Sequence, residues 1–379
     1  MLINELPDDC LLTIFDYIQD LRDLINCFKV SKNWRIKIVE RTKKLQYLID
    51  QPNYSSDYVY LHLKEPIDVK CLSKLFPNLR IAEFSYQLNG GAPIEDMVRL
   101  IINSNSLKGI IFDCDNHLEF GLVPENANLE MLSTGYIYPK MSGIYENVKQ
   151  LHLWNYNLGL FESVAHCFPN LERLQIYATE DLSEQYSDAP VLANLKILEM
   201  GLPLNDWANI CCSFKFMDAY PALQSAYIKI DSRTITFNHL ITRDNLRDLV
   251  IQFYQPIEWN ELSRCMLKYP NLKHLALRGT SLKDEHIMQL ILILPKLTIL
   301  DIRKSYGVSQ EADNYVRDYC EQYGRSIKFY FKPFDERIKS DRPQLLNRPE
   351  KICRGFDFME HCFFKSFYEL PHFLDPIDD

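Results

Sequence analysis

Along the first fifty residues, apolar side chains recur at helical spacing. Leu11, Phe15 and Ile18, with Leu12 and Ile14 beside them, follow Pro7-Asp8-Asp9, where a proline and two carboxylates suit the first turn of a helix. A second apolar set at Leu21, Leu24, Ile25 and Phe28 predicts another helix. A third, at Trp34, Ile38, Leu45 and Leu48 or Ile49, starts behind Ser31, a residue type that caps helix N-termini. Helices this short cannot cover all their apolar stripes with one another, and a core of fewer than about 50 residues is marginal. A partner surface is therefore expected to complete it.

From Tyr58 onward the pattern changes to a recurring L-x-x-L-x-L. Its anchors are Tyr58, Leu79, Leu107, Leu129, Val148, Leu171, Leu195, Leu223, Leu246, Leu272 and Leu297, spaced by 21, 28, 22, 19, 23, 24, 28, 23, 26 and 25 residues. That spacing lies in or near the ~20–29 residues of leucine-rich repeats. In LERLQI (171–176), LKHLAL (272–277) and LTILDI (297–302) the final residues alternate inward and outward, which predicts a short strand. Pro77, Pro169, Pro221, Pro270 and Pro295 each stand two residues before an anchor, where proline ends the helical stretch and delivers the chain extended. Stretches such as Glu258–Leu267 and Asp284–Leu294 have helical period. Thr134 and Ala226 fall in strand-core slots and make the repeats at Leu129 and Leu223 degenerate. Ile327–Phe331 alternates like a last strand.

Leu6-Pro7, then Leu11-Leu12-x-Ile14-Phe15-x-Tyr17-Ile18, Asp23-Leu24 and Val30-Ser31-Lys32-x-Trp34-Arg35 resemble the F-box motif over some forty residues, in order and in spacing. The departures are Ser31, where the family often has Cys, and Ile18, where it usually has Leu. The unit at 277–302 resembles the repeats of F-box leucine-rich-repeat proteins. The resemblance implies a three-helix module that docks on the adaptor of an SCF (Skp, cullin, F-box) ubiquitin ligase, and through it on a cullin. By position, Leu6, Pro7, Phe15, Leu24, Val30 and Trp34 are its candidate contacts.

The fold expected is α/β: a small all-α F-box over 1–48, then a leucine-rich-repeat solenoid over 49–332. Its parallel β-sheet would line the concave face and its helices the convex face. Residues 333–379 read as a proline-punctuated linker and an aromatic tail. Phe356, Phe358, Phe363, Phe364, Phe367, Tyr368 and Phe373 are too dense to stay solvated, so the tail either caps the last repeat or folds back along the concave face.

Composition narrows the chemistry. The 379 residues carry a formal charge of −9, and no segment is strongly basic, which argues against nucleic acid as a partner. The longest apolar run, Leu290–Leu294, is far too short to span a bilayer, and the start has no secretory signal pattern. With 11 cysteines and no C-x-x-C, reduced thiols and a cytoplasmic or nuclear location are expected.

No phosphate-loop, dinucleotide, nucleophile-elbow or H-E-x-x-H motif is present, so no enzyme and no cofactor is expected. Asp113-x-Asp115 lacks the glycine and distant glutamate of a calcium loop. Cys353, His361, Cys362 and His372 fit no zinc spacing and are expected to be buried structural groups, with no metal. Specificity should reside in the outward strand slots, at two, four and six residues past each anchor. His152, Trp154, Arg173, Gln175, Tyr177, Tyr227 and Arg278 are the candidate target contacts, being rich in Trp, Tyr and Arg. The expected role is the substrate-recognition subunit of an SCF-type ligase. The alternative is a repeat scaffold or inhibitor that binds its partner without ubiquitin transfer.

Overall fold

The computed structural model describes residues 3, 6–53, 55–60, 72–85, 94–113, 123–125, 127–135, 137, 143–178, 192–202, 210–211, 213–303, 305, 307–333, 335–342 and 348–377. The chain forms two compact units, Met1–Lys149 and Gln150–Asp379.

The first unit opens with α1 (Asp8–Asp16), α2 (Leu21–Val30) and α3 (Lys32–Thr42). Asp8 and Asp9 lie in the first turn of α1, where carboxylates meet the positive end of the helix dipole. Asp20 caps α2 by accepting from the Arg22 amide at 2.8 Å, and Ser31 caps α3 by accepting from the Trp34 amide at 3.1 Å. Leu11, Phe15, Leu21, Leu24 and Ile38 are buried, and their stripes form the helical core. The third helix is shorter than its apolar spacing suggests. It ends at Thr42, and Leu48 belongs to a strand, β1 (Tyr47–Ile49). The amides of Gln46 and Tyr47 both donate to the Asp57 carbonyl, at 2.9 and 3.1 Å, which pulls the chain out of the helix.

Strands β2 (Tyr58–Tyr60), β3 (Ile81–Ser85), β4 (Gly109–Asp113) and β5 (Met131–Thr134) complete this unit's parallel sheet, in the order β2-β1-β3-β4-β5. The first anchor, Tyr58, therefore lies on the edge strand, and β1 is inserted between it and the next repeat. Arg41, fully buried, joins helices to sheet. Its Nε donates to the Phe15 carbonyl at 3.2 Å and its Nη2 to the Tyr58 carbonyl at 3.3 Å, with Asp16 3.7 Å away. Asp115 lies outside the described residues.

In the second unit, β6 (Gln150–Tyr156), β7 (Arg173–Ala178), β8 (Ile197–Gly201), β10 (Ser225–Ile230), β12 (Asp248–Phe253), β13 (His274–Arg278), β14 (Ile299–Asp301) and β15 (Lys328–Tyr330) follow one another as parallel neighbours. Strands β9 (Ile210–Cys211) and β11 (Thr234–Ile235) pair apart from that sheet, as do β16 (Ile352–Arg354) and β17 (Phe373–Asp375). Helices return the chain between strands, as at Trp259–Met266 and Asp284–Ile293, close to the stretches of helical period.

Registry is strict. Leu151, Leu174, Leu198, Ala226, Leu249, Leu275 and Leu300 align in one buried row, so each repeat covers its neighbour's apolar edge. Polar stitching accompanies it: the asparagine just before an anchor donates its Nδ2 to a carbonyl of the preceding repeat, at 2.9 Å for Asn245 to Pro221 and 2.8 Å for Asn271 to Asp244. In the first unit Asn78 does the same to Lys43, at 2.7 Å. Among the described residues no helix is long and apolar enough to cross a membrane.

Candidate binding surfaces

The helices of the first unit leave several large apolar side chains in solvent. Tyr17 is 83% exposed, Ile36 58% and Val30 57%, with Ile14 and Val39 near 40%. Of the six residues singled out for the adaptor, Val30 and Pro7 are exposed, Leu6 and Trp34 half-buried, and Phe15 and Leu24 buried. Phe15 takes the edge of the Trp34 ring at 5.1 Å, so Trp34 packs on the core with one side and faces outward with the other. Ile14, Tyr17, Ile36 and Val39 are exposed as well, although position in the motif did not point to them.

In the second unit, strand alternation and register lay the outward slots in three rows. Gln150, Arg173, Ile197, Ser225, Asp248, His274 and Ile299 form the first. His152, Gln175, Glu199, Tyr227, Val250, Ala276 and Asp301 form the second. Trp154, Tyr177, Gly201, Lys229, Gln252 and Arg278 form the third. The spacing thus identified one common face correctly, but that face is covered. Residues of the C-terminal tail lie along it, and Phe358, Cys362, Phe363, Phe367, Leu370 and Leu374 form one apolar cluster with Ile197, Tyr227, Val250, Ala276 and Ile299.

The polar contacts of the strands are directed chiefly at the tail's main chain. Gln150 grips Leu374 twice: its Nε2 donates to the carbonyl at 2.6 Å, and its Oε1 accepts from the amide at 3.0 Å. Arg173 donates to the carbonyls of Pro371 at 2.7 Å and His372 at 2.8 Å, while its Nη2 pairs with Glu199 at 2.6 Å. Both members of that ion pair are buried. Arg278 donates to the carbonyls of Lys365 and, at 2.7 Å, Phe363, and to the Tyr227 hydroxyl at 3.0 Å. The Phe367 amide donates to Gln252 Oε1 at 3.3 Å. Gly201 leaves the space that Phe367 fills, since a Cβ there would meet the Phe367 and Tyr177 rings at 2.8 Å.

His152 stacks on His372 with ring centroids 4.1 Å apart. Burial above all, with His372, Arg173 and Lys351 nearby, holds its imidazole well below the usual histidine range. Burial likewise pushes the Cys362 thiol well up and the Cys353 thiol up, and Cys353 Sγ accepts from Lys365 Nζ at 3.7 Å. Among the described residues no group of His, Cys, Asp and Glu is arranged to hold a metal ion.

His152, Arg173, Gln175, Tyr227 and Arg278, which the sequence offers to a target, are buried in the free chain, and all but Gln175 meet the chain's own tail directly. Position past an anchor tells which way a side chain points, and the long-range fold decides what meets it. Trp154 and Tyr177, in the third row, remain partly open. Beside them stand Lys229, Tyr254 and the tail's Tyr368; Tyr254 is 48% and Tyr368 65% exposed.

Residues 3–40 match the family model described as F-box-like. No curated protein matches the chain. Similar solved structures include TLR13 in complex with ssRNA13, 16% identical over 79% of this chain and 38% of that one, TM-score 0.39. The leucine-rich repeat-containing protein LegL7 from Legionella pneumophila is 12% identical over 68% and 95% of the two chains, TM-score 0.41. A chain of the Rad7 and Elc1 complex in yeast is 13% identical over 80% and 90%, TM-score 0.35. The chain thus carries an F-box-like segment over residues 3–40, followed in sequence by parallel strands that carry a leucine-rich repeat pattern.

Proposed function

We propose that this protein is the substrate-recognition subunit of an SCF-type ubiquitin ligase, without catalytic chemistry of its own. Residues 1–48 would dock the adaptor and, through it, a cullin; residues 49–332 would form the repeat array; residues 333–379 would complete its recognition surface. The observation that carries this reading is the F-box-like segment 3–40, whose folded helices keep Tyr17, Val30 and Ile36 in solvent. Large apolar side chains left in solvent on so short a helical segment favour a protein-binding role. Leu6 and Pro7, at the entry to α1, belong to the same proposed contact. The target would be a protein, met at Trp154, Tyr177 and the outer side of the tail, in the cytoplasm or nucleus.

The test is affinity capture of a Val30→Asp, Ile36→Asp variant. Both side chains are exposed in the free chain, so thermal stability should hold while adaptor and cullin are lost from the eluate. If adaptor is captured at parental levels, the docking assignment is wrong. If adaptor is captured but no target ubiquitination depends on the protein, the scaffold alternative takes its place.

A further inference from the structure

The third row of the covered face includes an ammonium held among aromatic rings. Lys229 Nζ lies 5.0 Å from the ring centroid of Tyr177, 4.8 Å from Tyr254 and 5.0 Å from Tyr368. Tyr177 comes from β7, Tyr254 directly follows β12 and Tyr368 comes from the tail, so the ring of aromatics is complete only with the tail in place. The Tyr177 and Tyr368 hydroxyls are 3.4 Å apart, and the Tyr254 hydroxyl accepts from Gln252 at 2.8 Å.

Lys229 differs from the other cations of this face. Arg173 has Glu199 at 2.6 Å, His274 has Asp248 at 2.6 Å, Arg278 has Asp301 at 4.0 Å and Lys328 has Asp341 at 2.6 Å. Among the described residues Lys229 has no carboxylate within ion-pair distance, although only 3% of it is exposed. The rings supply attraction to the ammonium but no neutralising charge. Beside them β6 carries a bulge between Trp154 and Tyr156, with Asn155 at φ 59°, a left-handed conformation uncommon outside glycine. Bulges of this kind re-aim a side chain, here Trp154, which pairs across the strands with Tyr177.

We propose that this rim is the partner-contact surface of the second unit, and that its partner is a polypeptide segment presenting an acidic side chain to Lys229. The proposal rests on the receptor reading above and adds the chemistry of the target. The carboxylate would supply the counter-ion that Lys229 lacks among the described residues, with the phenolic hydroxyls of Tyr254 and Tyr368 as further donors. The residues flanking it would lie on the Trp154 and Tyr368 rings, residue types enriched at binding hot spots.

The experiment uses the full chain co-purified with its adaptor, and a short fluorescein-labelled polyglutamate peptide as probe, with polylysine of equal length as control. Fluorescence anisotropy should show polyglutamate binding that weakens with added salt. Lys229→Met, which keeps the apolar stem, should weaken it about tenfold or more, and Lys229→Arg should retain it. Tyr368→Ala, at an exposed position, should also weaken it and keeps the test decisive if the Met variant does not fold. Absence of polyglutamate binding to the parent, equal binding by Lys229→Met, or preference for polylysine would overturn the proposal; the last would assign the rings to a partner cation. Adaptor in the same samples is read separately, so its retention beside a failed peptide result sinks the rim and leaves the receptor function standing.

Discussion

Arg173 joins the tail's main chain to a buried ion pair, and Arg173→Met tests what that clasp contributes. The substitution keeps an apolar stem of similar length and removes the guanidinium. Glu199, fully buried, then loses its counter-ion, and the carbonyls of Pro371 and His372 lose their donors. Breaking a buried ion pair from one side costs about 3–5 kcal/mol, and each buried carbonyl left without a donor adds about 1–3 kcal/mol if the tail cannot turn it to water. A loss on the order of 5 kcal/mol follows, equivalent to a fall in melting temperature of about 10–20 °C for a unit of this size. In the double variant Arg173→Met, Glu199→Leu both charges are gone, and replacing a buried pair with apolar groups is often neutral. Only the carbonyl contribution should remain, so the double variant should be the more stable of the two. Guanidinium denaturation gives the energies, and limited proteolysis reports whether residues 350–377 come free. A single variant that loses less than about 1 kcal/mol, or a double variant no better than the single, would refute the assignment of Arg173 as the clasp.

Stability should also depend on pH through His152. Its imidazole is held below its ordinary value in the fold, chiefly by burial, whereas the unfolded chain takes up a proton near the usual pH of about 6.5. Stability is therefore full above that pH and is lost as pH falls below it, by up to about 1.4 kcal/mol per pH unit. Burial shifts His361 the same way and adds to the slope. Melting temperatures between pH 7.5 and 5 should show the decline, and His152→Gln should flatten it; an unchanged slope in that variant would remove His152 from the account. Gly201→Ala should loosen the tail, because the new Cβ meets Phe367 and Tyr177 at 2.8 Å, an overpacking worth about 1–3 kcal/mol. Denaturation at the parental midpoint would show instead that the two rings give way.

What is local or periodic could be read directly from the residues. Helix starts were legible because caps are short-range: Ser31 meets the Trp34 amide three residues on. The repeat was legible because one L-x-x-L-x-L unit cannot cover its own apolar edge, and proline two residues before an anchor marks the register. The same alternation correctly assigned Arg173, Gln175 and Tyr177 to one face. Nothing local, however, distinguishes a strand at Tyr47–Ile49 from another turn of α3. Its strand character comes from the Asp57 carbonyl and from the strands on either side. Nor could spacing reveal what covers a face. Gln150 meets Leu374 across 224 residues of sequence, and Arg278 meets Phe363 across 85. Those contacts depend on where the whole array carries the chain's end. For the same reason Lys229 reads in sequence as one more solvated strand lysine, and the rings of Tyr177, Tyr254 and Tyr368 gather around it only when repeats and tail are folded together.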